Sequence, residues 1–234
     1  ADSLEQSEQR LQEFIANVSH ELKTPMTTIG GYVDGILDGT IPKDNEKHYL
    51  QIVSSEVRRL SRLVRSMLDL SRLQAQGIDE SRKTRFDLGD VMSDVLITFE
   101  QKINARGLQV SVDLPEKPVW TKADRDAITQ VVYNLLDNAI KFCPVGGNLG
   151  LILEQDGQKA RLRIRNTGQT IPPEELPLLF DRFHKADKAR SADREGWGLG
   201  LYIAKTIIGA HGGEIWATSE NGVTEFSFTL PAVR

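Results

Sequence analysis

Cysteine is nearly absent: Cys143 is the single one among 234 residues. One thiol excludes an intrachain disulfide and argues against a cysteine-based zinc site, so a reducing, cytoplasmic setting fits. No apolar run approaches the roughly 18 residues needed to span a bilayer, and no signal peptide is expected. Charge of one sign is also lacking. A net charge of -4 gives no reason to expect nucleic acid as a partner. What is present, 39% hydrophobic and 26% charged residues, is the composition of an ordinary soluble globular protein, long enough for two small domains. The chain opens without Met, directly in a polar helical pattern, and is expected to be a fragment of something longer.

Residues 3 to 76 read as helix. Apolar residues fall at Leu11, Ile15, Val18, Leu22, Met26, Ile29, Val33 and Ile36. The steps alternate threes and fours, with one four-four break at Leu22, which makes a seam that buries against a partner helix. Gly39 and Pro42 then break the pattern within 38 to 46. A second seam follows through Tyr49, Val53, Glu56 or Val57, Leu60, Leu63 or Val64, Met67 and Leu70. One hairpin cannot cover both seams, so a homodimeric four-helix bundle is expected.

From 85 onward the pattern mixes types. Helices are predicted at 88 to 104, 123 to 141, near 173 to 178 and at 198 to 211. Strands are predicted at 108 to 113, 149 to 155, 159 to 166, 213 to 219 and 223 to 230. The hairpin signals are Asp156-Gly157 and Asn221-Gly222. A mostly antiparallel sheet with helices on one face follows, an α+β sandwich. The stretch from 180 to 197 reads as a long loop of the kind that serves as a lid. The expected domains are therefore 1–78, a helical hairpin, and 82–234, an α/β sandwich.

His20 lies about 180° around the first helix from the seam centre between Val18 and Leu22. That argues against a packed core histidine. A metal site is poorly supported, since no second His or Cys lies one turn away. Glu21 is adjacent, and Thr24, Thr27 and Gly31 continue the exposed stripe. Pro25 removes the hydrogen bond to the Glu21 carbonyl and is predicted to kink the helix at a cost of about 3 kcal/mol. Strain of that kind is a hint of function.

In the second region Asn134 and Asn138 lie one turn apart on an otherwise apolar helix, with Lys141 close by. They serve either in capping or a polar network, or as a carbonyl ligand for a hard cation with Lys141 near an anionic group. Gly196, Gly198 and Gly200 precede a helix, where free N–H groups and the dipole favour phosphate. No Gly-Lys-Ser/Thr follows, so this is not a Walker loop.

These blocks resemble the catalytic core of bacterial sensor histidine kinases over nearly the whole chain. FIANVSHELKTPM (14–26) is similar to the family's H-box, NLLDNAIKF (134–142) to its N-box and LFDRF (179–183) to its F-box. GWGLGL (196–201) is similar to its G2 box, and RNTGQTIP (165–172) stands where the G1 box belongs. The resemblance implies a dimerisation and histidine-phosphotransfer bundle followed by an ATP-binding domain of the gyrase–Hsp90–kinase–MutL type. It implies His20 as phosphoacceptor, Glu21 as the base that orients or deprotonates it, and Thr24 as the residue that places water for dephosphorylation of a response regulator. Asn138 resembles the Mg²⁺ ligand, with Asn134 beside it, and Lys141 and Lys185 resemble the phosphate-contacting bases. Phe142, Asn166, Gly168, Ile171, Gly196, Gly198, Leu199, Gly200 and Thr224 complete the implied ATP site. The implied partners are a second copy of the chain and a response-regulator receiver domain, and the implied setting is the cytoplasmic part of a membrane-anchored sensor. Two positions depart from the pattern. Asn166 replaces an aspartate that accepts from the adenine amino group, and Thr170 replaces a glycine. Those departures motivate a second reading, a kinase-weak scaffold that mainly dephosphorylates the regulator.

Overall fold

The computed structural model describes residues 2–76, 79–184 and 197–233. The chain divides into two compact units, one built on Ala1–Asp69 and the other on Leu70–Asp193 and Gly198–Arg234. The first is a helical hairpin of α1 (Asp2–Leu37) and α2 (Lys43–Gln76). α1 runs continuously through Pro25, whose ring is buried. Its end is set by local chemistry. Gly39 takes φ 78°, and the Asp38 carboxylate accepts the Thr40 N–H at 2.9 Å. Hydrogen bonds from the Thr40 hydroxyl and amide hold the Asp38 carboxyl below its ordinary range. The Ile41 N–H then reaches back to the Gly35 carbonyl at 2.8 Å. Tyr32 and Tyr49 close the hairpin, ring centroids 4.9 Å apart. Several seam residues stay exposed in the single chain, among them Ile15, Val57, Val64 and Met26, the last 61% exposed.

The second unit is α+β. Its elements are β1 (Lys83–Asp87), α3 (Leu88–Thr98), α4 (Glu100–Ala105), β2 (Gln109–Asp113), β3 (Trp120–Asp124), α5 (Arg125–Phe142), β4 (Asn148–Asp156), β5 (Lys159–Thr167), α6 (Gly200–Ala210), β6 (Ile215–Glu220) and β7 (Val223–Pro231). A five-stranded sheet has the order β2-β4-β5-β7-β6. It is antiparallel except for the β2–β4 pair. Alternate residues of β4, β5 and β7, including Leu149, Leu151, Leu162, Ile164, Phe226 and Phe228, are buried. They face the buried stripes of α5 and α6, where Val131, Leu135, Ile203 and Ile207 sit. This is the period-2 face meeting the period-3.6 face that such a sandwich requires. The other face carries Arg161, Arg163 and Arg165, which pair with Glu154 and Glu225.

Three features differ from the sequence expectation. The predicted helix 88–104 is interrupted at Phe99, where φ -98° and ψ 1° leave the helical region. Phe99 is nonetheless buried and stacks on Tyr133 with centroids 4.7 Å apart, so packing holds the break. The second difference is an antiparallel ribbon of β1 and β3. Asp87 secures it by accepting the N–H groups of Gly89 and Val119, both at 3.0 Å, which also caps α3. The short predicted helix near 173–178 is a 3₁₀ turn at Leu176–Phe180. Most of the loop read as a lid, including Lys185 and Gly196, lies outside the described residues.

Candidate functional site

In the helical unit His20 is exposed on α1, with Glu21 half-buried and Thr24 exposed one turn on. The Thr24 hydroxyl leans back on the His20 carbonyl at 3.4 Å, and Thr28 bonds the Thr24 carbonyl at 3.1 Å. Pro25 has no N–H, so the Glu21 carbonyl receives no backbone donor one turn ahead. The result is an exposed imidazole flanked by a carboxylate and a hydroxyl, on a helix whose hydrogen-bond ladder lacks one rung beside it.

The second unit assembles its candidates from five segments. Asp124 starts α5 by accepting the N–H groups of Asp126 and Ala127 at 3.1 and 3.2 Å. Its own N–H is taken at 3.0 Å by Nε2 of buried His211, which follows α6. Nδ1 of His211 donates to the Ile207 carbonyl at 2.8 Å, and burial pushes this imidazole's pKa down. The starting end of α5 and the finishing end of α6 are thereby joined. Further along, Nδ2 of Asn134 donates to the Gly200 carbonyl at 3.0 Å, which brings the asparagine helix and the glycine segment together. Asn138 is half-buried, and its side chain makes no hydrogen bond among the described residues. Lys141 reaches over the Phe142 ring at 5.7 Å.

Asn166, one residue before the end of β5, lies directly opposite Thr224 of β7. It is 3% exposed. Nδ2 donates to the Thr167 carbonyl at 3.0 Å, and Oδ1 is buried with no partner among the described residues. Buried acceptors are rarely left unpaired without a reason. The nearby glycines are close to irreplaceable. A Cβ on Gly168 would lie 2.9 Å from the Phe142 carbonyl oxygen. One on Gly198 would lie 2.7 Å from backbone atoms of Phe183 and His184, and Gly198 has φ 67° besides. Phe183 itself takes φ 60°, rare for a bulky residue, and donates its N–H to the Gly198 carbonyl at 3.0 Å. Leu199 is buried, leaving only its backbone to offer.

Thr170 shows no positive φ. The backbone there needs no glycine, and the threonine hydroxyl accepts the Gly222 N–H at 2.9 Å. Sequence reasoning missed Ser219, whose Oγ accepts the Ile171 N–H at 2.9 Å and lies 2.8 Å from Oγ1 of Thr224. The available signal was its position two residues before the Asn221-Gly222 turn, which fixes its register against Thr224.

Two family models match the chain. Residues 10–76 match "His Kinase A (phospho-acceptor) domain", and residues 123–234 match "Histidine kinase-, DNA gyrase B-, and HSP90-like ATPase". The chain is 38% identical over 226 residues to the sensor protein SrrB of Staphylococcus aureus (strain MRSA252), covering 96% of this chain. It spans only 38% of that relative's length. It is also similar to the solved catalytic domain of the histidine kinase ThkA, at 31% identity and TM-score 0.58. That match covers 64% of this chain and 95% of the other. A second structure, ThkA in complex with the response regulator protein TrrA, matches at 28% identity and TM-score 0.77, covering 97% of this chain and 64% of that one.

Proposed function

From the premise that this chain belongs to the two-component sensor histidine kinases, we propose that it moves the γ-phosphoryl group of ATP to His20 and then to an aspartate of a response-regulator receiver domain. The orphaned Oδ1 of Asn166 carries the reading most directly. It is a buried acceptor awaiting a donor, and the adenine amino group is such a donor. Gly168 lets backbone pack close beside it, since a Cβ there would lie 2.9 Å from the Phe142 carbonyl oxygen and 3.3 Å from Nδ2 of Asn166. Asn166 thus accepts in place of the usual aspartate, without the charge-assisted part of that bond.

The transfer is a displacement governed by position and charge. The lone pair of Nε2 of His20 attacks the γ-phosphorus. The bond from that phosphorus to the bridging oxygen breaks, and ADP leaves with the electron pair. Glu21 orients the imidazole and takes the proton from Nδ1. Lys141 and Lys185 balance phosphate charge, and the start of α6 offers backbone N–H groups. Among the described residues no cluster of three or more His, Cys, Asp or Glu could hold a metal. A lone amide oxygen, that of Asn138, fits Mg²⁺, which keeps most of its ligands as water and phosphate oxygens. When bound, that ion neutralises the phosphates. In the second step the receiver aspartate attacks the phosphohistidine phosphorus and the imidazole nitrogen leaves.

The exposed apolar residues Ile15, Met26, Val57 and Val64 support a homodimer through the bundle. ThkA was solved with a response regulator, which supports a partner of that class here. Thr24, exposed one turn from His20, supports a second activity, placement of water to dephosphorylate the regulator. No described helix is long and apolar enough to cross a membrane, and anchorage in a membrane with this part in the cytoplasm, where ATP is available, belongs to the same proposal. Incubation with γ-labelled ATP and Mg²⁺ tests it. Label on His20 that is absent from His20→Ala is expected, and no label on the native chain overturns the kinase reading.

A further inference from the structure

The loop that leaves β5 is laced to the β6–β7 hairpin by three hydrogen bonds. The Gly168 N–H donates to the Gly222 carbonyl at 2.8 Å, the Gly222 N–H to the Thr170 hydroxyl at 2.9 Å, and the Ile171 N–H to the Ser219 hydroxyl at 2.9 Å. Two of the three depend on side-chain hydroxyls. Asn221 and Gly222, with φ 51° and 76°, form the tight turn that presents the Gly222 amide and carbonyl to this loop.

The lacing has a direction. Ser219 is buried and already accepts the Ile171 N–H, and its oxygen lies 2.8 Å from that of buried Thr224. Either hydroxyl can donate in that pair, and the other's proton is then without an acceptor among the described residues. Of the two, Thr224 is the direct cross-strand partner of Asn166, so a ligand that meets the Asn166 oxygen can also accept the Thr224 proton, with Ser219 donating to Thr224 and both roles of Ser219 filled. Thr224 and Asn166 are direct cross-strand partners. Such pairs share a face, with Cβ atoms about 5 Å apart. A donor hydroxyl and the acceptor Oδ1 of Asn166 therefore stand side by side. That is the complement of a nucleobase edge carrying an amino donor next to a ring-nitrogen acceptor.

We infer that Thr170 and Ser219 are positioning residues for base recognition: they fix the loop and set the Thr224 proton, so that the site reads a 6-aminopurine and disfavours a 6-oxopurine. On this view Thr170 is a working substitution for the usual glycine, using its hydroxyl where glycine has none. The inference rests on the nucleotide reading above, and its test separates the two. ADP and IDP binding to the intact chain are measured by calorimetry, with Thr170→Val, Thr170→Ser and Ser219→Ala alongside.

The native chain is expected to prefer ADP. Thr170→Val and Ser219→Ala are expected to weaken ADP about three- to tenfold, the span of one hydrogen bond, while IDP changes less than about twofold. Thr170→Ser, which keeps the hydroxyl, is expected to retain the native preference. Equal weakening of both nucleotides, or an unchanged ADP-to-IDP ratio in Thr170→Val, overturns the inference and leaves the nucleotide reading standing. A native chain that binds neither nucleotide removes both. Thr170 is exposed, so its variants decide the matter even if Ser219→Ala fails to fold.

Discussion

His20 stands exposed on a single helix, whereas Asn166 is buried where two strands and a loop meet. The first is positioned by helical periodicity alone. The second is positioned by a strand register, a turn and a glycine that cannot be enlarged. One region should therefore tolerate change in its backbone neighbours, and the other should not. The glycines state the contrast most simply. A Cβ on Gly30 or Gly31, beyond His20 on α1, would meet nothing within 4 Å. A Cβ on Gly198 would strike backbone at 2.7 Å.

The sharpest break is Gly198→Ala. Close contact with two backbone atoms and a positive φ together should cost about 3 kcal/mol in the second unit. Nucleotide affinity should fall by about tenfold or more, read by calorimetry. A fully active variant would dissolve the contrast.

His211→Ala comes next. It leaves the buried Asp124 N–H without its acceptor and should cost about 2 kcal/mol. It should also flatten the acid limb of the stability curve. The ordinary histidine value is 6.5, and burial lowers it in the fold, with Lys83, Asp124 and Glu80 as the charged neighbours. As pH falls the unfolded chain takes up this proton before the folded one does. The stability tied to the neutral imidazole is fully present above about pH 6.5 and declines below it toward the lower folded value. Thermal melts between pH 7.5 and 5 check this. An acid limb of equal slope in native and variant chains would contradict it.

In the helical unit the sign reverses. Gly31→Ala should stabilise the hairpin by up to about 1 kcal/mol through helix propensity. A loss of stability would show that the exposed stripe is packed in solution. The smallest effect belongs to Lys102→Ala, which removes a solvent-exposed pair with Asp137. Its change should stay within about 0.5 kcal/mol.

The same contrast explains what could be read before folding. The helical hairpin, the two glycine hairpin turns and the main strands were legible because each has a local cause: a heptad seam, an Asn-Gly or Asp-Gly pair, an apolar alternation. The β1–β3 ribbon was not. KTRFD and WTKAD are short and polar, they pair across more than thirty residues, and their closure depends on an aspartate that also caps a helix. The break at Phe99 was hidden because the apolar spacing continues through it, and the contact of Phe99 with Tyr133 exists only in the folded unit. At the candidate site the asparagines and glycines stood out by type and spacing. Ser219 did not, because a serine near a turn is unremarkable until the register places it between Ile171 and Thr224. Thr170 looked like a loss when compared with a glycine pattern. Its gain, a bond to Gly222, exists only once the hairpin is folded beside it.

The unpartnered oxygen of Asn166 makes occupancy and durability a single property. No donor among the described residues meets it, so any ligand that does so in the folded unit raises the melting temperature by mass action. At a hundredfold excess over its dissociation constant, such a ligand adds about 2.7 kcal/mol to folding stability. The supply of the proposed nucleotide would then govern how long this part of the protein survives.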